Sequence, residues 1–146
     1  MSESFLEVKS LKKTFTADKP GLFFGGKESL VHAIDGIDFT LDRGEVLALV
    51  GESGCGKSTL ALTLMGLERP TEGSILFEGV NYSSLDERGL KKLRRRIQMI
   101  FQDPYESLNP TQSIEEIVAE PLLVHGLAKD KNERRRLVIR ALEDSG

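Results

Sequence analysis

Cysteine is almost missing from this chain. Cys55 is the single one, so no intrachain disulfide can form. No apolar run approaches the roughly 18–20 residues that a membrane-spanning helix needs. A basic excess is missing too: 20 Lys and Arg stand against 23 Asp and Glu, for a net charge of −3, and the pI is about 5.5. That balance gives no electrostatic footprint for nucleic acid, and none is expected as a partner. The first residues, Met1-Ser2-Glu3-Ser4-Phe5, have neither the basic start nor the apolar core of a secretory signal. Histidine is limited to His32 and His125, which lack metal-ligand spacing and read as structural or surface residues. No internal repeat is visible. These absences favour a reducing, cytosolic setting. What remains is ordinary for a globular protein, 39% hydrophobic and 29% charged over 146 residues, a length that suits one domain.

Against that plain background one segment carries chemistry. Residues 51–59 read Gly-Glu-Ser-Gly-Cys-Gly-Lys-Ser-Thr, a full match to the phosphate-loop pattern G-x-x-x-x-G-K-S/T. An apolar, strand-like run, Val46 to Val50, precedes it, and a helix-like run, Leu60 to Leu67, follows it. Gly51, Gly54 and Gly56 allow the backbone unusual dihedrals and close approach to a phosphate. The amides of the loop, including those of Glu52, Ser53 and Cys55, are then free to converge on an anion as a nest. The helix beginning near Lys57 adds a partial positive charge at the same place. Lys57 is expected to reach the β and γ phosphates, the Ser58 hydroxyl to ligate Mg²⁺, and Thr59 to bond the α phosphate. The implied ligands are ATP and Mg²⁺. Cys55 reads either as a small residue that fits the loop or as a thiol sensitised by a helix N-terminus.

Around the loop, strand-like and helix-like segments alternate, which predicts an α/β fold. Phe5 to Leu11 reads as a first strand, with Phe5, Val8 and Leu11 breaking a polar background. Asp18 to Glu28 reads as a loop punctuated by Pro and Gly. Its Phe23 and Phe24 are expected to pack on a sheet or to meet a partner. Ile34 to Leu41 alternates apolar and polar residues, as a half-buried antiparallel strand does. Val46 to Val50 reads as a parallel strand buried on both faces. Ser74 to Phe77 and Val80 to Tyr82 form a hairpin about Glu78-Gly79. Ser84-Leu85-Asp86-Glu87 and Ser113-Ile114-Glu115-Glu116 each fit a capping box. The first opens a helix through Leu93; Pro121 should kink or end the second. Ile97, Met99 and Phe101 alternate as a strand, and Asp130 to Ser145 is a last helix. The runs Arg94-Arg95-Arg96 and Arg134-Arg135-Arg136 read as solvated faces or as contacts with a partner subunit.

The run Ile97-Gln98-Met99-Ile100-Phe101-Gln102-Asp103-Pro104 resembles the Q-loop of ATP-binding-cassette (ABC) transporter ATPases. Its continuation, Tyr105-Glu106-Ser107-Leu108-Asn109-Pro110, is similar to the oligopeptide/dipeptide importer subfamily. So are the phosphate-loop residues themselves, the triplet Glu120-Pro121-Leu122 and the Gly-Leu-Phe segment at 21–23. The resemblance covers Val8 to Gly146. It implies a P-loop NTPase fold, a parallel sheet with an antiparallel β subdomain. Residues 1–146 then form the N-terminal portion of one nucleotide-binding domain. It implies that Phe15 stacks on adenine, and that Gln102 ligates Mg²⁺ and positions the attacking water beside Lys57. The segment after Gln102 would dock on membrane-spanning permease subunits, with Tyr105 and Leu108 at the interface. A second ATPase subunit, in a heterodimer, and a peripheral place on the cytoplasmic face of the membrane are implied as well.

The same resemblance exposes a shortfall. No segment of the chain matches the family's signature loop, the Asp-Glu strand end or the switch His. Phosphoryl transfer depends on positioning and charge stabilisation, so negligible turnover is expected from the 146 residues alone, with ATP hydrolysis for peptide uptake belonging to a longer subunit. The rival readings are a nucleotide-binding module without turnover and an ABC-type ATPase outside transport.

Overall fold

The computed structural model describes residues 4–17, 29–103, 105 and 108–146. The Gly-Leu-Phe segment, Phe23, Phe24, Pro104, Glu106 and Ser107 lie outside the described residues. The chain divides into two compact units, Met1–Ile97 and Gln98–Gly146.

The first unit is built on a four-stranded antiparallel sheet. Its strands are β1 (Leu6–Ala17), β2 (Ser29–Leu41), β3 (Glu72–Phe77) and β4 (Val80–Asn81), in the order β2-β1-β3-β4. This is the antiparallel β subdomain that the sequence implies. Both long strands exceed the sequence expectation, because Lys12–Ala17 pairs with residues 29–35 as the arms of a hairpin. Towards their ends Phe15 on one strand and Leu30 and Val31 on the other are exposed, so no alternation marks them in the sequence.

Val8 and Leu11 are both fully buried, although a regular strand places residues three apart on opposite faces. A β-bulge reconciles the spacing. The pairing of β1 slips between Val8 and Leu11, and Ser10 sits there at φ +45°. The displaced Ser10 amide donates to Asp38 Oδ1 at 2.8 Å. Gly73 makes room for the bulge: at φ +84°, a Cβ there would stand 2.4 Å from the Ser10 carbonyl oxygen.

Val8, Leu11, Ile75 and Phe77 of the sheet pack with Ile34, Tyr82 and two helices. Helix α1 (Lys57–Leu64) buries Leu60 and Thr63; α2 (Glu87–Arg94) buries Leu90 and Leu93. The C-terminal end of α1 is fastened by side chains from elsewhere. The Tyr82 hydroxyl donates to the Leu64 carbonyl at 2.5 Å, and Arg94 Nη2 donates to that of Gly66 at 2.8 Å. These bonds satisfy carbonyls that a helix end leaves without an intrahelical partner. Burial pushes the Tyr82 phenol far above its usual pKa, so it remains a donor. The first capping box is corrected: Asp86 caps α2, accepting from the Gly89 amide at 2.8 Å. The Leu85 amide is committed to a turn with the Tyr82 carbonyl, so the helix starts later than Ser84 suggests.

The parallel portion of the sheet is not formed among the described residues. Residues 46–50 have no regular structure and no ladder partner, and Val46 and Val50 are 92% and 90% exposed. Residues 97–100 keep the expected alternation, Ile97 and Met99 half-buried and Ile100 exposed, but Phe101, expected on the same face as Ile97 and Met99, is exposed, and again there is no ladder. A strand exists only where a neighbour takes its backbone bonds, and no described strand lies alongside either run.

The second unit is a helix pair, α3 (Ile114–Val124) and α4 (Lys131–Asp144), packed on each other. Its most buried positions are Ala119 and Val138. The second capping box forms as expected. Ser113 and Glu116 exchange bonds, which hold the Glu116 carboxyl below its usual pKa. Pro121 lies inside α3 and does not end it. It forfeits one amide, and its carbonyl still accepts from the C-cap, His125 N to Pro121 O at 3.0 Å.

Candidate functional site

Residues 51–56 run from the apolar segment 46–50 into α1 as a glycine-rich loop. Gly56 is the N-cap of α1, at φ +95°. A side chain there is excluded twice over, by the left-handed backbone and by the Ala33 carbonyl oxygen, 2.2 Å from where a Cβ would stand. The loop is therefore seated directly on β2. Gly51 is constrained less strictly, since a Cβ there would meet only a side-chain atom, Cys55 Sγ, at 2.7 Å. The Cys55 thiol fills the space beside Gly51, in keeping with its reading as a small loop residue.

Helix α1 differs from the others in one respect. Asp86, Ser113 and Asp130 cap α2, α3 and α4, whereas no side chain caps α1 and no acidic residue occupies its first turn. Its first amides keep their donor capacity, and the partial positive charge of that end is uncompensated. The side chains at this end are Lys57, Ser58 and Thr59. A cation, two hydroxyls and uncapped amides form a donor set suited to polyphosphate oxygens, and Ser58, exposed, has the oxygen a magnesium ion prefers.

Lys57 departs from the sequence expectation. Its amine does not extend from the loop but folds back into it, donating to the carbonyls of Gly51 at 2.7 Å and Glu52 at 2.6 Å and lying 3.4 Å from Cys55 Sγ. In this conformation the loop's own carbonyls occupy the ammonium. All of these partners belong to the loop, so releasing the amine requires no change elsewhere in the fold.

Phe15 sits on β1 opposite Val31 of β2. Val31 is two residues from Ala33, the residue under Gly56, or about 7 Å along a strand. One strand thus connects the aromatic to the loop. The ring is 37% exposed, and Lys13 Nζ stands 4.7 Å from its centroid. That ammonium is fixed by Glu68 at 2.8 Å and by the Arg69 carbonyl at 2.9 Å. Lys13 was not singled out in the sequence; its alternation with Phe15 on a strand was the available signal. Gln102 belongs to the second unit, in an exposed stretch without regular structure. Tyr105 and Leu108 are exposed as well. Among the described residues no group of three or more His, Cys, Asp and Glu is placed to hold a metal.

A family model described as "ABC transporter" matches residues 34–146. The oligopeptide transport ATP-binding protein AppF of Bacillus subtilis strain 168 is 46% identical over 135 residues, 90% of this chain and 40% of that protein. The dipeptide transport ATP-binding protein DppF of Escherichia coli K12 is 41% identical over 142 residues, 97% of this chain and 42% of that one. The chain thus spans about 40% of the length of these relatives. Among solved structures, the ATP-binding cassette MJ0796, a dimer bound to ADP and Pi in a post-hydrolysis state, superposes with a TM-score of 0.76 at 27% identity, covering 94% of this chain and 56% of that one. The protein cbiO1 from Clostridium perfringens, part of the transporter complex cbiONQ, superposes with a TM-score of 0.67 at 30% identity, covering 97% and 50%.

Proposed function

We propose, because the chain belongs to the ABC transporter family, that it forms the ATP-binding part of an importer ATPase subunit that powers uptake of oligopeptides or dipeptides. The names of its relatives support the peptide class. The observation that carries the nucleotide reading is the uncapped N-terminus of α1, with Lys57, Ser58 and Thr59 on it and a glycine-rich loop in front.

In this reading Lys57 exchanges the carbonyls of Gly51 and Glu52 for the oxygens of the β and γ phosphates. The amides of residues 51–56 and of the first turn of α1 bind the phosphate tail, Thr59 takes the α phosphate, and Phe15 stacks on the base. Ser58 and Gln102 would hold Mg²⁺, which when bound neutralises charge on the phosphates. Gln102 would orient the attacking water. Residues 1–146 act as the N-terminal portion of one nucleotide-binding domain, and turnover belongs to the longer subunit. Permease subunits and a second ATPase subunit are the partners. No described helix is long and apolar enough to cross a membrane; in this reading the subunit is peripheral, on the cytoplasmic face.

Titration of the chain and of Lys57→Ala with a fluorescent ATP analogue and Mg²⁺ tests the site. The substitution removes charge-assisted bonds to phosphate, and binding is expected to weaken about tenfold or more. Equal binding by both chains would end the assignment.

A further inference from the structure

The turn between β3 and β4, Glu78-Gly79, has two positive φ angles, +48° and +76°. Tight hairpin turns of this kind favour Asn, Asp or Gly at the first position. Glutamate is a poor local choice, because non-glycine residues seldom adopt positive φ and its side chain is too long for the short-range bonds Asn and Asp make. Its length is used elsewhere. One carboxylate oxygen accepts from Arg43 Nη2 and the other from Arg96 Nη2. Each guanidinium also covers a ring, Arg43 at 4.7 Å from the Phe5 centroid and Arg96 at 5.0 Å from that of Phe77. The two rings meet edge to face at 4.9 Å. The Arg96 bond, and after it that of Arg43, holds the Glu78 carboxyl below its usual pKa, so the carboxylate stays charged near neutrality.

The three charged residues lie on three separate connections. Arg43 is in the turn closed by Glu45 N to Asp42 O at 3.1 Å, directly ahead of residues 46–50 and the phosphate loop. Arg96 follows α2 and precedes Gln102 by six positions. Glu78 is at the hairpin tip between them in sequence. A single exposed ion pair contributes little. Here one carboxylate is shared by two guanidiniums, each already placed on an aromatic face.

We propose that Glu78 is a positioning residue for the nucleotide site: its grip on Arg43 and Arg96 fixes, within the first unit, where the chain enters the phosphate loop and where it emerges from α2. The inference rests on the nucleotide reading above. It also accounts for a glutamate at a position where the backbone favours asparagine.

Glu78→Asn separates this role from a merely structural one, because asparagine suits the turn but falls one methylene short of the grip. Binding of the fluorescent ATP analogue with Mg²⁺ is expected to weaken about threefold to tenfold, while the urea midpoint holds or rises. Glu78→Gln, which keeps the length and loses the charge, should give an intermediate affinity. Adding Glu78→Asn to an Arg43→Ala, Arg96→Ala chain should change nothing further. Unaltered affinity in Glu78→Asn overturns the proposal, as does an affinity that falls only in step with the urea midpoint. Lys57→Ala separates the two failures. If it binds as the unaltered chain does, the nucleotide reading and the grip fall together. If it loses binding while Glu78→Asn does not, only the grip is discarded.

Discussion

Single residues set the tolerances of the first unit. Among the described glycines outside the phosphate loop, Gly73 leaves least room for a Cβ, which would stand 2.4 Å from the bulged Ser10 carbonyl oxygen. Gly73→Ala imposes left-handed strain of about 1–2 kcal/mol and forces a methyl group into a backbone oxygen that cannot rotate away. A destabilisation above about 2 kcal/mol is expected, read as a lowered urea midpoint. A midpoint unchanged from that of the native chain would mean that the bulge is not held as described. The bulge that Gly73 accommodates was not legible in the sequence: Val8 and Leu11 are spaced by three, and it is Asp38, far along the chain, that satisfies the displaced amide. The glycines of residues 51–56 were legible because their spacing is itself the motif. The inward fold of Lys57 was not, since no residue type records which of two acceptors an amine takes.

At the scale of elements, α2 and α3 make an instructive pair. Both are preceded by Ser-x-x-Glu, yet only Ser113 caps its helix. Before α2 the pattern loses to a competing turn and to a better acceptor two residues on. Asp86→Ala should therefore cost about 1 kcal/mol and Ser84→Ala less than about 0.5 kcal/mol, both read from urea unfolding. The reverse order would return the start of α2 to Ser84. The hairpin at Glu78-Gly79 and the existence of every helix were readable from periodicity and turn chemistry. Strand lengths were less so, because the adjacent apolar residues Leu30 and Val31 of β2 are both exposed and carry no alternation. The persistence of α3 through Pro121 was hidden as well, since a proline signals a break and only the surrounding bonds show whether the helix bridges it.

For the whole molecule, the decisive fact is the state of residues 46–50. Composition called for a buried parallel strand, and the described residues offer it no neighbour. Val46, Leu47, Leu49 and Val50 are exposed, as are Ile100 and Phe101. An apolar segment with open backbone donors and acceptors is a template for pairing with another chain. The chain is expected to self-associate as its concentration rises, seen as light scattering that grows faster than concentration. Val46→Lys, which puts a charge on that edge, should suppress the growth. Scattering proportional to concentration for both chains would remove this expectation. The family could be read from residues 97–110, but the missing ladder could not be read from any local pattern, because pairing depends on residues distant in sequence.

The inward-folded Lys57 has a kinetic corollary. Two carbonyl contacts must break before the amine can meet an incoming triphosphate, so capture has a unimolecular opening step ahead of it. Once ligand is plentiful, the speed of capture ceases to depend on how much more is added. From there the loop's own rate of release sets the pace.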